Sequence, residues 1–201
     1  MTEVDVPPAR LTRWVENFGS RHGEVALSVA TGTLAGLAAD GSTFVAHVPF
    51  DRAYDGPASV APFVESCAPP DDWGVLLVRK GGFAIARLTG ETIVESKVGQ
   101  RHVQGRTKAG GQSQQRFARR RDNQARMAYE AAAEHASRIL GGAPLIVTGG
   151  DHAAVEAVLA DRRLAGLGVV QPFLAVPDPR RGVLKQAILD AGNVRIGVVN
   201  A

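Results

Sequence analysis

One stretch of this chain brings together residue types that can act on another molecule: Gly105, Arg106, Thr107, Lys108, Ala109, Gly110, Gly111, Gln112, Ser113, Gln114, Gln115, Arg116, Phe117, Ala118, Arg119, Arg120 and Arg121 follow one another without interruption. Adjacent glycines reach backbone conformations closed to other residues and let a loop approach a partner with no Cβ in the way. The side chains that follow them are amides rather than acids. A neutral glutamine is no general base, but its carbonyl accepts a hydrogen bond from water, its NH₂ donates to a developing oxyanion, and neighbouring backbone N–H groups can assist. Such a group orients water without ionising it. The reaction that suits it is attack on an ester that is already reactive, with a second component, such as a ribose hydroxyl of the substrate, accepting the proton.

The charge of the chain is concentrated at the same place. The formal net charge is only +3, yet Arg101, Arg106, Lys108, Arg116, Arg119, Arg120, Arg121 and Arg126 stand against Asp122 alone, so residues 101–126 carry +7 and the remainder −4. A charge run is usually a solvated helix face. Here it adjoins a glycine loop, which favours RNA contact, each phosphate adding salt-dependent affinity. Arg106, Lys108, Arg116, Arg119 and Arg120 are the expected RNA-binding residues. Phe117 is expected to pack against the protein rather than stack on a base.

The elements around this segment follow from periodicity. Three apolar runs at residues 73–78, 83–88 and 92–98, broken by Arg79-Lys80-Gly81-Gly82 and by Gly90, predict an antiparallel meander. The polar, glycine-rich residues after it predict an exposed loop. Residues 113–140 contain neither Gly nor Pro and keep Phe117, Ala125, Ala128, Ala132, Ala136 and Ile139 on one stripe, which predicts a single long helix directly behind the loop. Strand and helix then alternate to a last strand at 194–199. Ahead of the meander, a helix is expected within 7–23, strands at 25–30 and 43–48, and a mostly irregular stretch at 49–72 with a short helix near 59–66. The fold class is therefore α/β in the mixed α+β sense, a mixed sheet flanked by helices. The expected organisation is one domain over 1–201, with residues 1–72 completing the sheet of a core at 73–201 and a catalytic loop at 99–115.

Several classes are excluded. A single cysteine, Cys67, makes no internal disulfide and no multi-cysteine zinc site. The five histidines show no i, i+4 pair, so neither a metal nor a cofactor is expected. No stretch approaches a membrane span and the first residues do not read as a secretion signal, so the expected location is the cytoplasm, with no membrane partner. Val147-Thr148-Gly149-Gly150-Asp151 has the look of a phosphate turn but lacks the rest of either nucleotide motif, and Asp151 is expected to cap a helix.

Gly110-Gly111-Gln112-Ser113, followed by Arg116-Phe117-Ala118-Arg119 and Arg121, closely resembles the catalytic domain of eukaryotic and archaeal class-1 translation termination factors. The alanine-rich helix, the Val147 to Asp151 strand exit and the Gly182 to Leu189 helix stand in the order that domain has, so the resemblance covers about residues 73–199. Two hundred and one residues leave no room for the codon-reading and partner-binding domains of such factors. The whole chain is more similar to VLRF-type release-factor-like proteins, in particular their stand-alone bacterial branch. That resemblance implies an RNase H-like release-factor fold and a monomeric peptidyl-tRNA hydrolase. It further implies partners in peptidyl-tRNA and the large ribosomal subunit with its rRNA, in rescue of stalled complexes without stop-codon reading. The termination-factor pattern assigns the catalytic role to Gln112 of Gly110-Gly111-Gln112; the Gly-x-x-Gln pattern of the VLRF type assigns it to Gln114 and is the one favoured. Two other readings stand beside this one: a non-catalytic RNA- or ribosome-binding module, and a metal-dependent nuclease built on scattered carboxylates such as Asp40, Glu91, Glu95 and Glu156.

Overall fold

A computed structural model describes residues 1–100 and 112–201, with side chains described outside 101–125. In chain order the elements are β1 (Thr2–Val6), α1 (Leu11–His22), β2 (Val25–Ala30), β3 (Thr33–Ala38), β4 (Thr43–His47), α2 (Val60–Ser66), β5 (Trp73–Arg79), β6 (Gly82–Thr89), β7 (Thr92–Gln100), α3 (Gln112–Leu140), β8 (Leu145–Gly150), α4 (His152–Leu159), β9 (Gly168–Leu174), α5 (Arg181–Ala191) and β10 (Val194–Val199). They form two five-stranded sheets, and the chain divides into two compact units, one of residues 1–69 and 189–201, the other of residues 70–188.

The first unit carries a sheet in the order β1-β10-β4-β3-β2 with every neighbour antiparallel. Alternation sets its core face: Leu34, Phe44, Ala46, Val194 and Ile196 are fully buried, with Leu11 and Phe18 of α1 and Phe63 of α2 in the same cluster. Residues 1–72 were expected to complete the sheet of 73–201, and the strand order corrects this. Those residues pair among themselves and with β10, because Val194 and Ile196 alternate in step with Phe44 and Ala46 and bury the same face. Two strands went unseen in the sequence. β1 is short and half polar, Val4 and Val6 alternating with Glu3 and Asp5, and β3 carries Gly36, where an added Cβ would collide with the Phe44 ring.

The second unit is a mixed sheet in the order β7-β6-β5-β8-β9. The β5-β6-β7 meander is antiparallel as expected, and β8 and β9 run parallel to β5. β5 reads Trp-Gly-Val-Leu-Leu-Val because it is central and covered on both faces, and all six of these residues are buried. α3 and α4 pack on it through Ala132, Ala133, Ala136, Ile139 and Leu140 of the first and Ala154, Val155 and Val158 of the second, against Leu76, Val78, Ile85 and Ile146. Small alanines let the long helix lie close to the strands. Asp151 caps α4 as expected, its carboxylate accepting from the Ala154 N–H at 3.0 Å.

Candidate functional site

The strand directions place the root of the loop. In the second unit, β5, β7, β8 and β9 all finish at one end of the sheet, where Arg79 pairs with Gly82, Gly82 with Gln100, Val78 with Gly150, and Gly149 with Leu174. The chain leaves the sheet there at Gln100 and re-enters described structure at Gln112, the first residue of α3. Gly82 is required at this root: a Cβ on it would press on the carbonyl oxygen of Gly99.

α3 is 29 residues long, and among its described side chains those of Ala132, Ala133, Ala136, Ile139 and Leu140 cover the sheet. Its end is anchored at the opposite edge, where Arg87 of β6 donates through Nη1 to the carbonyl of Gly141 at 2.9 Å and grips Asp72 with its other two nitrogens. Arg138 of α3 pairs with Glu95 of β7. Tyr129 lies near Asp151, at the level where β8 ends, and its hydroxyl is pushed to a higher pKa first by burial and then by that carboxylate. The residues from Ala128 to Leu140 span about 20 Å of helix, close to the length of β5, and the stretch from Gln112 to Ala128 adds about 24 Å on the loop side.

Of the predicted site residues, Gly110, Gly111, Arg106 and Lys108 lie outside the described residues. Gln112, Gln114, Arg116, Arg119 and Arg120 all belong to α3, in its first nine residues, and only their backbone is described. Helical spacing divides these positions between two rows. Positions 112, 116, 119 and 123 continue into Arg126, Glu130, Glu134 and Arg138, all of them exposed. Position 114 falls instead on the row that runs through 121 and 125 to Ala128, Ala132, Ala136 and Ile139, all of them buried. The two candidate glutamine positions thus stand on opposite faces of one helix.

Other side chains weighed in the sequence have structural roles. Cys67 is buried with its Sγ 3.2 Å from the Phe63 carbonyl, and burial pushes the thiol up to about 11. Among the described residues no group of three or more His, Cys, Asp or Glu side chains is placed to hold a metal ion. Among them, too, no helix is long and apolar enough to cross a membrane. The clamps that fix α3, Arg87 with Asp72 and Gly141 and Arg138 with Glu95, escaped the sequence reading because none of these partners is a sequence neighbour and none leaves a local pattern.

With this geometry, the chain can be set beside known proteins. The family model described as Actinobacteria/chloroflexi VLRF1 release factor matches residues 71–197. Among solved structures, one described as the Vms1 mitochondrial localization core is similar at a TM-score of 0.46 and 12% identity, covering 96% of this chain and 82% of that one. The archaeal translation termination factor aRF1 is similar at a TM-score of 0.44 and 13% identity, covering 94% of this chain and 63% of that one. Comparison with curated proteins gives no match. The family match takes in the whole meander, the residues of the glycine loop, the arginine helix and the parallel strands behind it, which is well over half of the sequence. The chain belongs to the Actinobacteria/chloroflexi VLRF1 release factor family.

Proposed function

We propose that this member of a release-factor family is a peptidyl-tRNA hydrolase that frees the nascent peptide on stalled ribosomal complexes without reading a stop codon. The observation that carries this is the junction of loop and helix: Gly110-Gly111 runs straight into Gln112 at the first position of α3, and Arg116 and Arg119 follow in the same helical row.

In this mechanism the glutamine carboxamide orients a water molecule for attack on the ester carbonyl. The first N–H groups of α3 have no partner within the helix, and with the positive end of its dipole they favour the negative charge that develops on the carbonyl oxygen. The bond from carbonyl carbon to ribose oxygen breaks, and the ribose oxygen takes the proton that the water gives up. The products are the free peptide acid and an intact tRNA. Arg106, Lys108, Arg116, Arg119 and Arg120 would hold phosphates of the tRNA and of the large-subunit rRNA. The helical register supports Gln112 as the water-positioning residue, because its row is the one that continues into exposed side chains. Gln114, the choice of the Gly-x-x-Gln pattern, starts the row that becomes the core. The same reading makes the protein a cytoplasmic monomer that needs no cofactor.

The test is release of labelled peptide from a stalled ribosomal complex. Replacing the water-positioning glutamine by alanine should slow release by about 10²- to 10³-fold with the fold unchanged. Gln112→Ala, Gln114→Ala and the double variant all releasing peptide normally would end the mechanism. Release should leave the tRNA chain whole, and free peptidyl-tRNA, where no ribosome has to stay intact, should be hydrolysed in EDTA if it is a substrate; an EDTA-sensitive cut in the RNA chain identifies a nuclease. Salt-sensitive binding with no ester cleavage identifies a docking module.

A further inference from the structure

Outside residues 101–126 the chain is acidic overall, so the sequence directs attention to one basic segment. The fold assembles a second. At the end of the sheet from which the loop departs, the turn Arg79-Lys80-Gly81-Gly82 meets the segment that leads from β9 into α5. Arg79 donates through Nη1 to the carbonyl of Val176 at 2.8 Å, its Nε lies 3.8 Å from Asp178, and a Cβ on Gly81 would sit 3.7 Å from the same carboxylate. This contact joins the turn that carries Arg79 and Lys80 to the segment that carries Arg180 and Arg181, four cations with Asp178 as the one acid in these two segments. Lys80, Arg180 and Arg181 are exposed. Arg79 is partly spent on holding the two segments together.

Two further observations give the patch a ligand. Arg180 and Arg181 stand at the N-terminus of α5, an 11-residue helix with no acidic residue in its first turn. Cations at the positive end of a helix dipole are unfavourable, and an anion bound there relieves the cost. Pro177 and Pro179 fix their own φ and restrict Val176 and Asp178 before them, so the backbone that leads from the Arg79 contact to Arg180 is stiff. Gly82 is the register partner of Gln100, so the patch adjoins the strand residue from which the 101–111 segment departs.

We infer that Lys80, Arg180 and Arg181 form a phosphate-binding platform at the base of the loop, and that its ligand is the backbone of the RNA whose end the loop approaches. The inference rests on the proposed function for the identity of that RNA. The platform takes phosphates of a neighbouring stretch, so loop helix and platform grip the RNA at separate points, and the bound end is oriented as well as held.

The experiment is equilibrium binding of the full chain to a labelled RNA hairpin with a single-stranded 3′ end, across a salt series. The triple variant Lys80→Ser/Arg180→Ser/Arg181→Ser should bind at least about tenfold more weakly near 0.1 M salt. Its plot of log K against log salt should be shallower by about 2 to 3, since each lost phosphate contact removes about 0.7 to 0.9. Arg180→Lys/Arg181→Lys, which keeps the charge, should retain the slope. If the triple variant fails to fold by circular dichroism, the single Arg181→Gln carries the test with a slope change of about 0.7 to 0.9. Wild-type affinity and slope in the folded variant overturn the platform, as does loss of binding to an acidic polypeptide with RNA binding intact. The two proposals fail separately. Platform-dependent RNA binding without peptide release sinks the hydrolase alone, and normal release with an unchanged salt slope in the variant sinks the platform alone.

Discussion

Arg87 holds both carboxylate oxygens of Asp72, with Nε 2.9 Å from Oδ1 and Nη2 2.8 Å from Oδ2. Because its third nitrogen reaches the Gly141 carbonyl, this pair sets where the long helix ends. The arginine hydrogen bonds keep the Asp72 carboxyl below its ordinary range. A carboxyl whose pKa is depressed by folding contributes stability above its unfolded value of about 3.9 and loses that contribution as pH falls through the lower folded value. Arg87→Leu should therefore cost about 1 kcal/mol at pH 7, screening by solvent keeping the figure modest, and the deficit should shrink below about pH 4. Urea midpoints at pH 7 and pH 3 measure it, and a deficit that grows in acid contradicts the account.

Gly82→Ala tests the root of the loop. The added methyl meets a backbone oxygen of the neighbouring strand, which has no rotamer by which to yield. A loss of about 1–3 kcal/mol is expected. Amide exchange should show the opening confined to the ends of β6 and β7, and peptide release should fall with it. Wild-type stability would mean that the strands part easily at this point.

The arginines near the start of α3 should act on binding rather than on chemistry. Under the proposed function, Arg116→Ser/Arg119→Ser/Arg120→Ser removes contacts made equally in ground and transition states, which raises KM and leaves kcat nearly unchanged, while the glutamine variant lowers kcat. Kinetics of release at increasing protein concentration separate the two. A kcat effect from the arginines would move them into the reacting centre.

Cys67 should be silent in the folded protein. With its thiol buried and raised to about 11, it should react with a thiol reagent at pH 7–8 only as fast as the surrounding core opens. Urea should accelerate the reaction in step with unfolding. Rapid labelling without denaturant would contradict the burial.

The second unit was legible because its signals are local. A meander with glycine turns, a helix without Gly or Pro, and a run of six apolar residues in a central strand each declare themselves within a few residues. The loop declared itself by residue type. What stayed hidden depends on pairing at a distance. β10 looks like one more strand of the alternating half until its partners are known, and they are β1 and β4, near the opposite end of the sequence. The cations at Arg79 to Lys80 and Arg180 to Arg181 are ordinary in isolation and become one patch only because Arg79 reaches the Val176 carbonyl. Under the proposed function, the preference for Gln112 over Gln114 rests on the phase of a helix, and that phase is read from which alanines far along it are buried.

The position of β10 between β1 and β4 also bears on how the chain is made. Arg195 pairs with His47 across roughly 150 residues of sequence, and Val198 pairs with Thr2. During synthesis the first sheet has to wait with a gap in its middle while the contiguous segment of residues 70–188 has everything it needs to fold first. Within residues 1–201, that gap closes only after every other strand has been made. Deleting residues 194–199 would leave β1 without its strand partner and the buried face of Phe44 and Ala46 open to other chains.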